Sequence, residues 1–175
     1  KFLDAMKRIN PKLKVIGLTA TPYRLDSGML HEGENALFSD IAYEVSVRDL
    51  ITAGYLSPLM SKQPKTKLDV TGVGSRGGEF IARDLEKAVD QDAITKAAVG
   101  EIIAYGKDRK SWLAFCSGVS HATHVAEEFR RCGISCATIF GDTPKDERDR
   151  IIAEFKAGKI RALASMGVLT TGFNA

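Results

Sequence analysis

The second half of the chain alternates apolar strands with amphipathic helices across links of a few residues, and that order restricts the fold more than any other feature. Trp112 to Cys116 is a compact apolar run. Ser120 is placed to cap a helix whose inner face is Ala122, Val125, Ala126 and Phe129, with Gly133 beyond its end. Cys136 to Phe140 reads as the next strand. Thr143 as N-cap and Pro144 at the first helical position open another helix, buried through Ile151, Ile152 and Phe155 and closed by Gly158. Ile160 to Ala164 is a third strand, and upstream Ile94, Ala98, Ile102 and Tyr105 form a helical stripe ending at Gly106. Strand, helix, strand, helix, strand predicts an α/β unit with a parallel sheet and right-handed crossovers. Ligands of such sheets gather at the carboxyl ends of the strands. Here those ends are Cys116-Ser117-Gly118, Gly141-Asp142-Thr143 and Ser165 onward.

The first half is less regular. Lys14 to Leu18 is a short apolar run stopped at Thr19-Ala20-Thr21-Pro22, and reads as a buried strand. Cut off from its own sheet, such a strand is expected to fray or to dock on a neighbour. Val47 to Ala53 reads as a short helix closed by Gly54, and Lys62 to Lys67 is basic. Gly72, Gly74, Gly77 and Gly78 mark a flexible loop or hinge. Gly72-Val-Gly-Ser-Arg-Gly77 also matches a dinucleotide fingerprint, but the residues before it, Lys65 to Val70, are mostly polar where a Rossmann turn needs an apolar strand. A nicotinamide- or flavin-dependent oxidoreductase therefore rests on that loop alone.

Hydrophobic residues make up 44% of the chain and charged residues 27%, enough to bury a core. The net charge of +3 neither demands nor excludes a polyanionic partner. No apolar run approaches the roughly 20 residues that cross a bilayer, so no membrane association is expected. Cys116, Cys132 and Cys136 are too few and too irregular for a disulfide framework or a zinc site. Cys116 and Cys132 read as small buried hydrophobes in a reduced, cytoplasmic protein. His121 and His124 lie at a helix start without an obvious ligand partner, which favours a solvated turn over a metal site. Lys107, Asp108, Arg109 and Lys110 read as a solvent-facing charged turn, with contact to a nucleic-acid backbone as the lesser alternative.

Four stretches then line up in order: Gly17 to Arg24, Trp112 to Ser117, Phe140 to Gly158, and Val168 to Ala175. In this order and spacing they resemble motifs III, IV, IVa and V of helicase superfamily 2, and in particular the RadD-like repair helicases and the motor subunits of type I and type III restriction enzymes. The resemblance implies a RecA-like parallel sheet with flanking helices, an incomplete second lobe preceded by the tail of a first. Residues 1–23 would end the first lobe, 24–83 would connect, and 84–175 would form the second lobe, truncated after motif V. The implied function is that of an ATP-dependent DNA helicase or translocase, cytoplasmic, with ATP and Mg²⁺ as cofactors of the full-length parent and nucleic acid as its partner. An ATPase-inactive nucleic-acid clamp and an RNA helicase are the alternatives.

By the same resemblance Thr19, Ala20 and Thr21 would couple the nucleotide site to the cleft, although the hydroxyls can also serve only the turn before Pro22. Ser117, Gly141, Lys145, Arg148, Thr170 and Thr171 would grip a phosphodiester backbone, Lys145 and Arg148 beside the orphan N–H groups of a helix start. Arg148 can instead pair with Glu147 or Asp142. Gly172 and Asn174 would approach the nucleotide. Asn174 stands where the family usually has aspartate; its amide still accepts from a ribose hydroxyl but is neutral. The chain holds no phosphate loop and no Asp-Glu-Ala-Asp/His motif. Read as a fragment, it is expected not to hydrolyse ATP alone, and it supplies no metal ligand.

Overall fold

The computed structural model describes residues 2–24, 28–34, 36–170 and 173. The chain divides into two units, Lys1–Met60 and Ser61–Ala175.

In the first unit α1 (Phe2–Ile9) is followed by a two-residue ribbon of β1 (Tyr23–Arg24) and β2 (Gly28–Met29), paired antiparallel. The short α2 (Val47–Thr52) starts at Ser46, whose Oγ accepts from the Asp49 N–H at 3.0 Å. It ends where the sequence places it, one residue before Gly54 at the cap Ala53. No described residue of this unit is buried. Lys14–Leu18 does not form the buried strand: the segment has no ladder, and Ile16 and Leu18 are 87% and 97% exposed, which agrees with the frayed state expected for such a run without its sheet. An apolar run becomes a strand only against a neighbour that takes its backbone groups, and no described residue offers one.

The second unit carries the core. The glycine-rich loop is a hairpin of β3 (Ser75–Arg76) and β4 (Glu79–Phe80). Gly77 and Gly78 make its two-residue turn with φ of 62° and 82°, the signs a twist-compatible type I′ turn requires. Then follow α3 (Ala82–Val89), α4 (Asp92–Gly106), β5 (Trp112–Phe115), α5 (Val119–Arg131), β6 (Cys136–Ile139), α6 (Lys145–Lys156) and β7 (Ala162–Ser165). The strands form one parallel sheet in the order β5-β7-β6, the α/β architecture expected.

Each face of the sheet has its own apolar cluster. Trp112, Ala162 and Ala164 meet Val99 of α4 and Ala122, Val125, Ala126 and Phe129 of α5. On the other face Ile139 and Leu163 meet Ile151 and Phe155 of α6. The central strand β7 is buried throughout because both faces and both edges are covered. At its start the Arg161 guanidinium stacks on Trp112 at 4.4 Å and donates to the carbonyls of Lys107 and Arg109 at 2.9 and 3.0 Å, tying the turn before β5 to the turn before β7.

Two helix starts differ from the sequence expectation. Ser120 does not cap α5; Gly118 is the cap residue, and the Glu86 carboxylate of α3 accepts from the His121 N–H at 3.3 Å instead. A Cβ on Gly118 would run into that carboxylate, so the glycine makes room for a cap supplied from another helix. Thr143 does not cap α6, and Pro144 stands outside the first turn as the cap residue. The Thr143 Oγ1 closes the preceding turn, accepting from the Phe140 N–H at 2.8 Å.

Candidate nucleic-acid interface

The register levels the carboxyl ends of the three strands: Phe115 and Ile139 both pair with Ser165. Parallel strands therefore deliver Ser117, the Gly141–Lys145 turn and the loop after Ser165 to one edge of the sheet. The N-termini of α5 and α6 open at the same edge, each leaving backbone N–H groups without an intrahelical acceptor.

Each loop is fixed by its own hydrogen bonds. The Ser117 Oγ lies 3.0 Å from His121 Nδ1, in the first turn of α5. Burial pulls the His121 pKa below its ordinary value, which favours the neutral ring. Arg148 forms no ion pair with Glu147 or Asp142 among the described residues. Its Nη2 donates to the carbonyls of Phe140, Gly141 and Thr143 at 3.1, 3.2 and 3.4 Å. Its Nε is buried without a partner. The guanidinium thus gathers the β6–α6 turn, a use that neither the phosphate contact nor the ion pair anticipates. Lys145 is exposed in the first turn of α6.

The loop after β7 is anchored at both ends. Ser165 is 1% exposed and its Oγ donates to the Val168 carbonyl at 3.2 Å. Leu169 has φ 64°, unusual for a bulky L-residue, and is packed with Val168 and Phe173 against the Ile151–Phe155 cluster. The Phe173 ring lies 6.4 Å from that of Phe155. Thr170, between these anchors, is exposed. Thr171, Gly172 and Asn174 lie outside the described residues. Sequence reasoning missed Glu86 and the pairing of His121 with Ser117, for which only the i, i+4 spacing was available as a signal; Ser165 reads as a strand end but not as the anchor of its loop.

Residues 95–175 match the family described as Helicase conserved C-terminal domain. The match supports a superfamily 2 helicase C-terminal portion. Two relatives extend the likeness upstream. The Schizosaccharomyces pombe protein named "Putative mitochondrial ATP-dependent helicase irc3" is 32% identical over 165 residues, 92% of this chain and 26% of that protein. A Lactococcus phage protein described as "51.5 kDa protein" is 24% identical over 159 residues, 91% of this chain and 34% of that protein. The chain thus spans between a quarter and about a third of the length of these relatives.

Around the helicase C-terminal domain, other candidate residues take local partners. His124 is exposed, and its Nδ1 lies 2.8 Å from Asp90 Oδ1, joining α5 to the end of α3. Cys132 is exposed rather than buried, while Cys116 and Cys136 are partly buried, and burial pushes both of those thiols up to about 11. Among the described residues no group of three or more His, Cys, Asp or Glu is arranged to hold a metal ion. None of their helices is long and apolar enough to cross a membrane.

In the first unit the Thr19 Oγ1 accepts from the Thr21 N–H at 3.0 Å and lies 3.4 Å from the Thr21 Oγ1. These hydroxyls serve the turn before Pro22, with Ala20 exposed between them.

Proposed function

We propose that the chain is the nucleic-acid-gripping part of an ATP-dependent DNA helicase or translocase. The observation that carries this reading is the convergence, on one sheet edge of a helicase C-terminal domain, of three strand-end loops and two helix N-termini. Free N–H groups at the start of α6, which unlike α5 has no side-chain cap, and small hydroxyls suit phosphodiester oxygens, which carry charge but no sequence information. In this reading Ser117, Gly141, Lys145, Thr170 and Thr171 touch the backbone, and Arg148 holds the turn that presents Gly141 and Lys145. DNA is the preferred substrate because the resemblance is to repair helicases and restriction motors. The compartment is cytoplasmic, suited to three free thiols.

ATP would be bound by the whole protein. In this chain Gly172 and Asn174 are the positions assigned to it, and the described residues offer no carboxylate cluster for Mg²⁺. Thr19, Ala20 and Thr21 are assigned to coupling, which requires that the Thr19–Thr21 turn open when both lobes are loaded. The division at 1–23, 24–83 and 84–175 into first-lobe tail, connector and second lobe belongs to the same proposal. Asn174, in place of the family's usual aspartate, favours a second reading, an ATPase-inactive clamp.

The test is ATP hydrolysis by the whole protein titrated with single-stranded DNA. With Lys145→Ala and Thr170→Ala together, the DNA concentration for half-maximal stimulation should rise about tenfold, as expected for ~1.4 kcal/mol of lost contact. An unchanged midpoint rejects the interface. No hydrolysis by the unsubstituted protein, with DNA still bound, selects the clamp, and equal stimulation by RNA removes the preference for DNA.

A further inference from the structure

The opposite edge of the same sheet carries the charge that the carboxyl edge lacks. Three segments, each a helix end with the loop after it, lead into the strands, 106–111, 130–135 and 156–161, and the register Trp112–Ala162–Cys136 brings them level. Together they hold eight Lys and Arg against one carboxylate, Asp108. That is a local +7 in a chain whose net charge is +3, which leaves −4 for the remainder. The loops at the carboxyl edge, 116–119, 140–145 and 166–170, hold only Asp142 and Lys145, and so are neutral.

Part of the basic edge has a local explanation. Cations in the last turn of a helix complement its dipole, which accounts for Arg130, Arg131 and Lys156, and Arg131 is also paired with Glu128 at 2.8 Å. Arg161 is committed to carbonyls and to Trp112. Lys107, Lys110 and Lys159 lie past the helix ends, are exposed, and have no ion-pair partner among the described residues. The Arg161 latch joins the turn bearing Lys107 and Lys110 to the one bearing Lys159, so the three ammonium groups stand on a braced platform rather than on independent loops.

We propose that this amino edge is a second nucleic-acid contact, one that takes the phosphodiester backbone of a duplex segment separate from the strand gripped at the carboxyl edge. Strands about 4.8 Å apart place the three loops within roughly 10 Å, the span of about three successive phosphates on one strand. Four-residue strands put roughly 13 Å between the two edges, beyond the Debye length of about 8 Å at physiological salt. The amino-edge charges therefore do not steer a phosphate bound at the carboxyl edge. The proposal rests on nucleic acid being the partner of this domain, and on no particular residue at the carboxyl edge.

The experiment is fluorescence anisotropy of a labelled 20-base-pair DNA duplex with the full chain, from low to moderate KCl. The variants are K107E/K110E/K159E at the amino edge and K145A/T170A at the carboxyl edge. Loss of three phosphate contacts should lower the slope of log K against log salt by about 2–3 and weaken low-salt binding at least tenfold. K107Q/K110Q/K159Q should give the same slope change, which guards against misfolding of the charge-reversed protein. Loss in the amino-edge variants with K145A/T170A unaffected supports this proposal even if the carboxyl-edge reading fails; the converse result overturns it. Unchanged slope and affinity, or no duplex binding by the unsubstituted chain, also overturns it. So does polyglutamate binding as tight as DNA and lost in the same variants, which would assign the edge to an acidic protein.

Discussion

The Nη2 of Arg148 donates to the Phe140 carbonyl at 3.1 Å, eight residues back along the chain and across the turn that joins β6 to α6. The same nitrogen reaches the Gly141 and Thr143 carbonyls, so one guanidinium organises the turn. Arg148→Ala should destabilise the full chain by about 1.5–3 kcal/mol, the usual worth of hydrogen bonds to a charged group. Arg148→Lys should recover only part of this, because an ammonium lacks the planar fork. Urea unfolding checks both, and a loss for Arg148→Ala below about 0.5 kcal/mol, the level of an ordinary surface substitution, would contradict the role.

Phe129 is fully buried between α5 and the sheet, with its ring 5.8 Å from Trp112. Phe129→Ala should cost about 3–5 kcal/mol. Leu113, on the same sheet but 40% exposed, should cost clearly less when truncated. Thermal melts of the two variants rank them. Equal losses would mean that β5 is covered in solution in a way this fold does not provide.

The two histidines of α5 should respond to pH in opposite directions. The hydrogen bond to Asp90 raises the His124 pKa above 6.5. Its contribution is then complete below 6.5 and fades as pH rises through the raised folded value. Burial lowers the pKa of His121, so its contribution is complete above 6.5 and fades as pH falls through the lowered value. Melting temperature against pH should therefore lose its alkaline slope in His124→Gln and its acidic slope in His121→Gln. Both slopes surviving in both variants would show that other groups set them.

Thiol reactivity should separate the cysteines. Cys132 is exposed, whereas burial lifts Cys116 and Cys136 to about 11 and leaves little thiolate at pH 8. Iodoacetamide at pH 8 should modify Cys132 first, read by peptide mass. Faster labelling of Cys116 would mean that the end of β5 opens readily.

The sheet of the second unit was legible because its strands and helices repeat on schedule and their apolar faces match both clusters. What escaped sequence reasoning involves partners distant along the chain. The cap of α5 comes from Glu86, 35 residues before His121, and so no local spacing points to it. Asp90 and His124 stand 34 residues apart for the same reason. Thr143 and Pro144 have the right chemistry for a helix start, but closing the turn from Phe140 uses the hydroxyl first. Lys14 to Leu18 failed differently: its apolar residues state a preference for a sheet, and a preference cannot form a ladder without a second strand. At the candidate interface the loops were legible from strand ends alone, while the commitment of Arg148 to carbonyls depends on how tightly the β6–α6 turn folds back.

The central claim is that the loops after β5, β6 and β7 form one surface for a phosphodiester chain. Photo-crosslinking of a bromodeoxyuridine-substituted single strand to the whole protein, with adducts mapped by peptide mass, tests it most directly. Adducts should fall in 116–121, 140–145 and 166–173 and should be competed by unlabelled single strand. A saturable complex with no adduct in any of the three would contradict the account.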